Sequence, residues 1–223
     1  APNPKLLQFG SNNEVAKRVG STYQFYSNPQ FLINSCTCLQ DDAKQCKYKL
    51  GESTSAIELN EILIKIQRSK GTGSGIMHPF VVSAETGLVT ECTDYSYLRT
   101  VGKGFSMTGN NITHQPFLMP DTNLTRNTFR GICQQDPKVV RALQLGAQLL
   151  FVQNNWSSKG FDFAMKPDPK KFTDFLMSDK CPYTRDVILN SRSYWLPAEL
   201  TTPDTPEYLS IFDILELYSK CGG

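Results

Sequence analysis

Three side chains of this sequence sit at a spacing suited to holding a ligand. Tyr95, Tyr97 and Arg99 alternate, so on an extended segment all three would point to one face. Two phenols beside a guanidinium suit a small anion or an amino acid, because Arg pairs bidentately with carboxylates. Nucleophilic catalysis is less well supplied. Any Ser-His or Cys-His mechanism must use His78 or His114, the two histidines of the chain. His78 precedes an apolar run and His114 falls in a turn-rich stretch, so both read as structural or solvated. Neither Ser74 in "GTGSGI" nor Ser106 in "KGFSMTG" meets the Gly-x-Ser-x-Gly pattern of a hydrolase. A glycosidase needs only two carboxylates, and Glu199, after "SYWLPA", is the nearest candidate. "GTGSG" lacks the Gly-Lys-Ser/Thr of a phosphate loop, and zinc-protease, EF-hand and dinucleotide patterns are absent. No catalytic residue is assigned and no cofactor is expected.

The cysteines and sequons speak to compartment instead. There are seven cysteines: Cys36, Cys38, Cys46, Cys92, Cys133, Cys181 and Cys221. A zinc site would want paired Cys-x2-Cys units or more histidines, so no metal is expected. Asn111-Ile112-Thr113, Asn123-Leu124-Thr125 and Asn155-Trp156-Ser157 match the N-glycosylation pattern. Asn34-Ser35-Cys36 matches only its rarer Cys variant, and Trp156 reads as the anchor of a turn. Sequons with scattered cysteines favour an oxidising, secretory environment and a disulfide framework. The start "APNPKLL" lacks an initiator Met and an apolar leader, which fits a mature chain after signal removal or a cut boundary. Seven is odd, so three bridges would leave one thiol over. Cys221, in "YSKCGG", is a candidate for tying down the C-terminus or reaching a neighbouring chain.

Bulk properties exclude several classes. The chain has 223 residues, 39% hydrophobic and 20% charged, with a formal net charge of +2. It should fold around a real core. No concentrated basic stripe favours nucleic acid; the cluster at 166–171 is broken by Pro167, Asp168 and Pro169. No run approaches the ~20 apolar residues of a membrane span.

The elements that must position these residues follow from pattern. A short helix is expected over 13–19, and a strand in "KQCKYKLGES". The clearest helix is expected over 55–70, with Ser55 and Glu58 as a capping box and Ile57, Leu59, Ile62, Leu63 and Ile66 as its stripe. Val81 to Ser83 and Leu88 to Glu91 read as strand–turn–strand with Gly87 at the turn. Residues 105–131 read as loop. Asp136 and Pro137 open another helix, and "QLLFVQNNW" reads as a strand after it. "DPKKFTDFLM" is a third helix, "SYWLPAEL" an extended segment, and "PEYLSIFDILELYSKCGG" a closing amphipathic helix stopped at Gly222. Without β-α-β alternation or repeats, the fold class is α+β, an antiparallel sheet with flanking helices.

The stretch "HPFVVSAETGLVTECTDYSYLRTVGKGF" resembles the central hairpin of Cache domains, extracellular relatives of the PAS fold. Val81-Val82, Thr86-Gly87, Leu88-Val89 and Val101-Gly102-Lys103 carry the likeness. Where that family often has His after the second strand, this chain has Glu91-Cys92, and no flanking membrane helices are seen. The resemblance implies a fold for ligand binding or assembly, not catalysis; the disulfide stabilisation expected for it rests on the cysteines. The resemblance divides the chain into a Cys-rich segment (1–52), a Cache/PAS-like core (53–165) and a helical extension (166–223) packed as one unit. The expected role is a secreted glycoprotein, a subunit of an extracellular filament or coat contacting itself or other extracellular proteins. A small-ligand sensor or carrier is the alternative, and a secreted carboxylate-dependent hydrolase is the third reading.

Overall fold

A computed structural model describes residues 30–40, 46–48, 59–68, 77–101, 107–108, 113–154, 168–192 and 208–221. Its larger sheet has the order β1-β2-β3-β4, all antiparallel: β1 Gln30–Cys38, β2 Leu59–Arg68, β3 Met77–Ser83 and β4 Gly87–Leu88. β5 (Met107–Thr108) and β6 (Thr113–His114) make a second, two-stranded sheet. The helices are α1 Thr90–Val101, α2 Phe129–Gln135, α3 Pro137–Asn154, α4 Pro169–Leu176, α5 Arg185–Asn190 and α6 Ile211–Cys221. The α+β class and the antiparallel sheet stand as expected.

β2 corrects the helix expected over 55–70. "LNEILIKIQR" satisfies both an i, i+3/i+4 stripe and a period of two, because Ile62, Ile64 and Ile66 alternate. β-branched side chains favour the pleated surface, and pairing on both sides decides the matter. Ile64 lies opposite Ile33 of β1 and His78 of β3. The Ser55–Glu58 capping box lies outside the described residues, as do the helix at 13–19, "GTGSG" and "SYWLPAEL". β1 was not foreseen as a strand. Of "KQCKYKLGES", the described Cys46 makes an isolated bridge with Gln40.

The hairpin forms as expected at its turn. Gly87 has φ of +75°, which a residue without Cβ adopts freely. Its second strand is only two residues long, and the chain turns into α1 at Thr90. Thr93 secures that corner, its hydroxyl accepting from the Val81 amide (2.9 Å) and donating to the Val89 carbonyl (3.0 Å).

α3 is the axis of the helical layer. It opens as expected, with Asp136 Oδ1 accepting from the Lys138 amide at 2.9 Å and Pro137 first in the helix, where its missing N–H costs nothing. It then continues through "QLLFVQN", correcting the strand expected there. Leu145, Leu149, Leu150 and Val152 extend the buried face begun by Val139, Ala142 and Leu143. A partner on several sides keeps so apolar a helix out of water: α1, α2, α5 and α6 all pack on α3, and α1 also covers β3.

α4 is capped where the sequence suggests. Asp168 accepts from the Lys171 amide at 2.9 Å to start α4. Ser210 and Asp213 exchange side chain–backbone bonds to start α6, a capping-box arrangement with Asp at the third position. α6 therefore begins at Ile211, later than "PEYLS" suggested. α2 and α5, within stretches read as loop or left unassigned, are short helices. Among the described residues no helix is long and apolar enough to cross a membrane. All seven cysteines are free thiols. Cys36 and Cys38, two apart on one strand, are ~6.7 Å apart at Cα, near the outer limit for a bridge.

Candidate functional site

A cavity of about 310 Å³ opens between β3, α1, α3 and the first turn of α6. Helical spacing builds two of its walls. Thr93, Asp94 and Tyr97 lie on one side of α1, while Cys92, Tyr95 and Leu98 on the other side are buried in the core. Ala147, Gln148, Phe151 and Val152 repeat the pattern on α3. β3 adds His78, Pro79 and Phe80, and α6 adds Ile211 and Phe212.

The cavity is mostly apolar and aromatic, with few polar groups, the usual composition of a small-molecule site. Among the described residues, Asp94 is its one carboxylate. Burial, then the nearby Glu91 charge, pushes the Asp94 carboxyl up to about 7. No described residue hydrogen-bonds it. His78 lies across from it, with its ring 5.5 Å from that of Phe151. Burial lowers the His78 pKa, so the ring is neutral at physiological pH. Burial raises the Tyr97 pKa, and the Asn154 side chain offsets part of that rise. Phe212 is 43% exposed at the rim.

The expected Tyr95-Tyr97-Arg99 row does not exist, because the segment is helix α1 and not a strand. At 100° per residue, Tyr95 and Arg99 share a side and Tyr97 points away from them. Tyr95 is fully buried, stacked on Phe129 with centroids 4.1 Å apart and planes 7° from parallel. Tyr48 meets both rings edge-on. Arg99 lies over the Tyr95 ring at 5.7 Å and donates to its hydroxyl at 3.2 Å. Of the three, only Tyr97 lines the cavity. The expected guanidinium site is replaced by a carboxylate site.

His114 is a core residue, 2% exposed and edge-on to Tyr95 at 6.2 Å. Burial and then the Arg99 charge lower its pKa to about 4, so it stays neutral. His78 was read as structural and instead lines the cavity. Asn123 is exposed, with its carbonyl oxygen accepting from Gln115 Nε2 at 2.8 Å. Asn111, Asn155 and Glu199 lie outside the described residues. Cys36, Cys38 and Cys221 are exposed, Cys46 and Cys181 partly buried, and Cys92 and Cys133 buried. Among the described residues no group of three or more His, Cys, Asp or Glu is placed to hold a metal.

Asp94, Thr93, Phe151 and Phe212 were missed. The signal for Asp94 lay in "TECTDYSYLRTV": with Cys92, Tyr95 and Leu98 inward at helical spacing, Asp94 and Tyr97 fall together on the opposite side. No family model, curated protein or solved structure matches the chain.

Proposed function

We propose that this chain is a small-ligand-binding module, secreted and N-glycosylated, whose ligand carries an apolar body and a cationic or hydrogen-donating head. The observation that carries this reading is the partly buried Asp94 carboxyl, without a hydrogen-bond partner among the described residues, in an apolar cavity. A buried carboxylate without a partner is costly, and a bound ammonium would ionise it and supply the missing charge. Tyr97, Phe151 and Phe212 offer ring faces that suit both an apolar body and a cation. The Cache-like hairpin supports the same reading, since that fold family implies ligand binding. Secretion rests on the sequons, and the exposed Asn123 suits an occupied one. A carboxylate-dependent hydrolase is less well supported, because no second carboxyl lines the cavity among the described residues.

A thermal-shift screen of compact aromatic and aliphatic amines, each matched to its isosteric alcohol and acid, tests the reading. Amines should raise the melting temperature, acids should not, and Asp94→Asn should remove the preference. Equal responses to amine and acid, or no response to any, would overturn it.

An extracellular assembly subunit is the second reading, and one observation favours it. Among the described residues β1 is an edge strand of the larger sheet, with Ile33 65% exposed and Cys36 and Cys38 also exposed. An edge with unpaired backbone groups is a template for a strand of another chain.

A further inference from the structure

We propose that Cys181 and Cys221 form a disulfide that fastens the far end of α6 to the turn after α4. Aromatic packing brings the two regions together. Tyr218, one turn before Cys221, packs against Phe172 and Phe175 of α4 with centroids 5.4 and 5.3 Å apart. The chain reverses directly after Phe175: the Ser178 amide donates to the Phe175 carbonyl and the Cys181 amide to the Ser178 carbonyl. Cys181 follows that turn, partly buried and packed against the edge of the core. A charge on Cys221 would disfavour one on Cys181.

Exposure sets the order of the chemistry. Cys221 is exposed and Cys181 partly buried, and burial also pushes the Cys181 thiol up. With oxidised glutathione as the oxidant, the Cys221 thiolate attacks one glutathione sulfur. That S–S bond breaks, and the first glutathione leaves and takes a proton. The Cys181 thiolate then attacks the Cys221 sulfur of the mixed disulfide and expels the second glutathione. Two protein thiols are oxidised and one glutathione disulfide is reduced to two thiols. The bridge holds one end of α6 while Ile211 and Phe212 at its other end wall the cavity.

The full chain, equilibrated in oxidised and in reduced glutathione, alkylated and digested without reductant, tests this by peptide mass mapping. A linked Cys181–Cys221 peptide is expected only after oxidation. Closing a loop of ~40 residues should raise the melting temperature on the order of 5–10 °C over the reduced chain. Cys181→Ser and Cys221→Ser should each lose that rise while matching reduced wild type. Both thiols alkylated after oxidation, or Cys221 linked to a different cysteine or a second chain, would overturn the pairing.

Discussion

Asp94 and His114 impose opposite pH dependences on the fold. The Asp94 carboxyl moves from an ordinary 3.8 up to about 7 in the folded chain. Between those values the unfolded chain has released a proton that the folded chain keeps, so this group's contribution falls as pH rises and levels off above about 7. His114 moves from 6.5 down to about 4. Between those values the unfolded chain holds a proton that the folded chain refuses, so its contribution falls as pH drops. Asp94→Asn should therefore stabilise the protein on the order of 2–4 kcal/mol at pH 8, with little change at pH 4. Urea denaturation at both pH values reads the difference. An equal effect at both would show that burial does not disfavour the Asp94 charge. The sequence left His114 open between structural and solvated, and it hid Asp94, since one carboxyl among 21 acidic residues has no mark until its helix is known.

At the scale of elements, the legible parts were those with a local stop or start signal. Asp136-Pro137 and Asp168-Pro169 each satisfy free amides at a helix start, a matter of a few adjacent residues; the Ser210–Asp213 cap of α6 is equally local but was not read. The hairpin at Gly87 was legible for the same reason. β2 and the second half of α3 were not, because each is decided by distant partners. Leu149, Leu150 and Val152 would suit a buried strand equally well if α1, α5 and α6 were elsewhere. Gly146 tests the continuous helix. Replacing it would place a Cβ 3.6 Å from Leu98 and Phe117, an ordinary contact. Gly146→Ala should then stabilise by about 0.5–1 kcal/mol, the cost of Gly in a helix interior. If Gly146 instead ended the helix with positive φ, the same change would destabilise. Thermal or denaturant melting distinguishes the two signs.

For the whole molecule, the core crosses the divisions expected from the sequence: β1 pairs with β2, and α6 packs on α3. The cavity draws on β3, α1, α3 and α6, residues up to 134 positions apart (His78 to Phe212), which explains why no short motif announced it. The binding-module and assembly readings part company at this scale. Native mass measurement with and without reductant, before and after peptide-N-glycosidase, should give a monomer that loses mass on glycan removal. A multimer dissolved by reductant would favour joining through Cys36, Cys38 or Cys221, and an unchanged mass for protein from its native source would sink the secretory assignment.

Arg141 gives the molecule an order of completion. Its buried guanidinium, set in the middle of the chain, donates to Gln144, Ser191 and the Leu209 carbonyl. A growing chain makes the cation long before it makes Leu209. Until that carbonyl arrives, α3 must leave the charge in water or bury it with a bond missing, and either keeps the layer loose. A chain released early, before Leu209, would lack both the acceptor and the Ile211-Phe212 wall. It would leave the Arg141 cation one acceptor short and the cavity open on its α6 side.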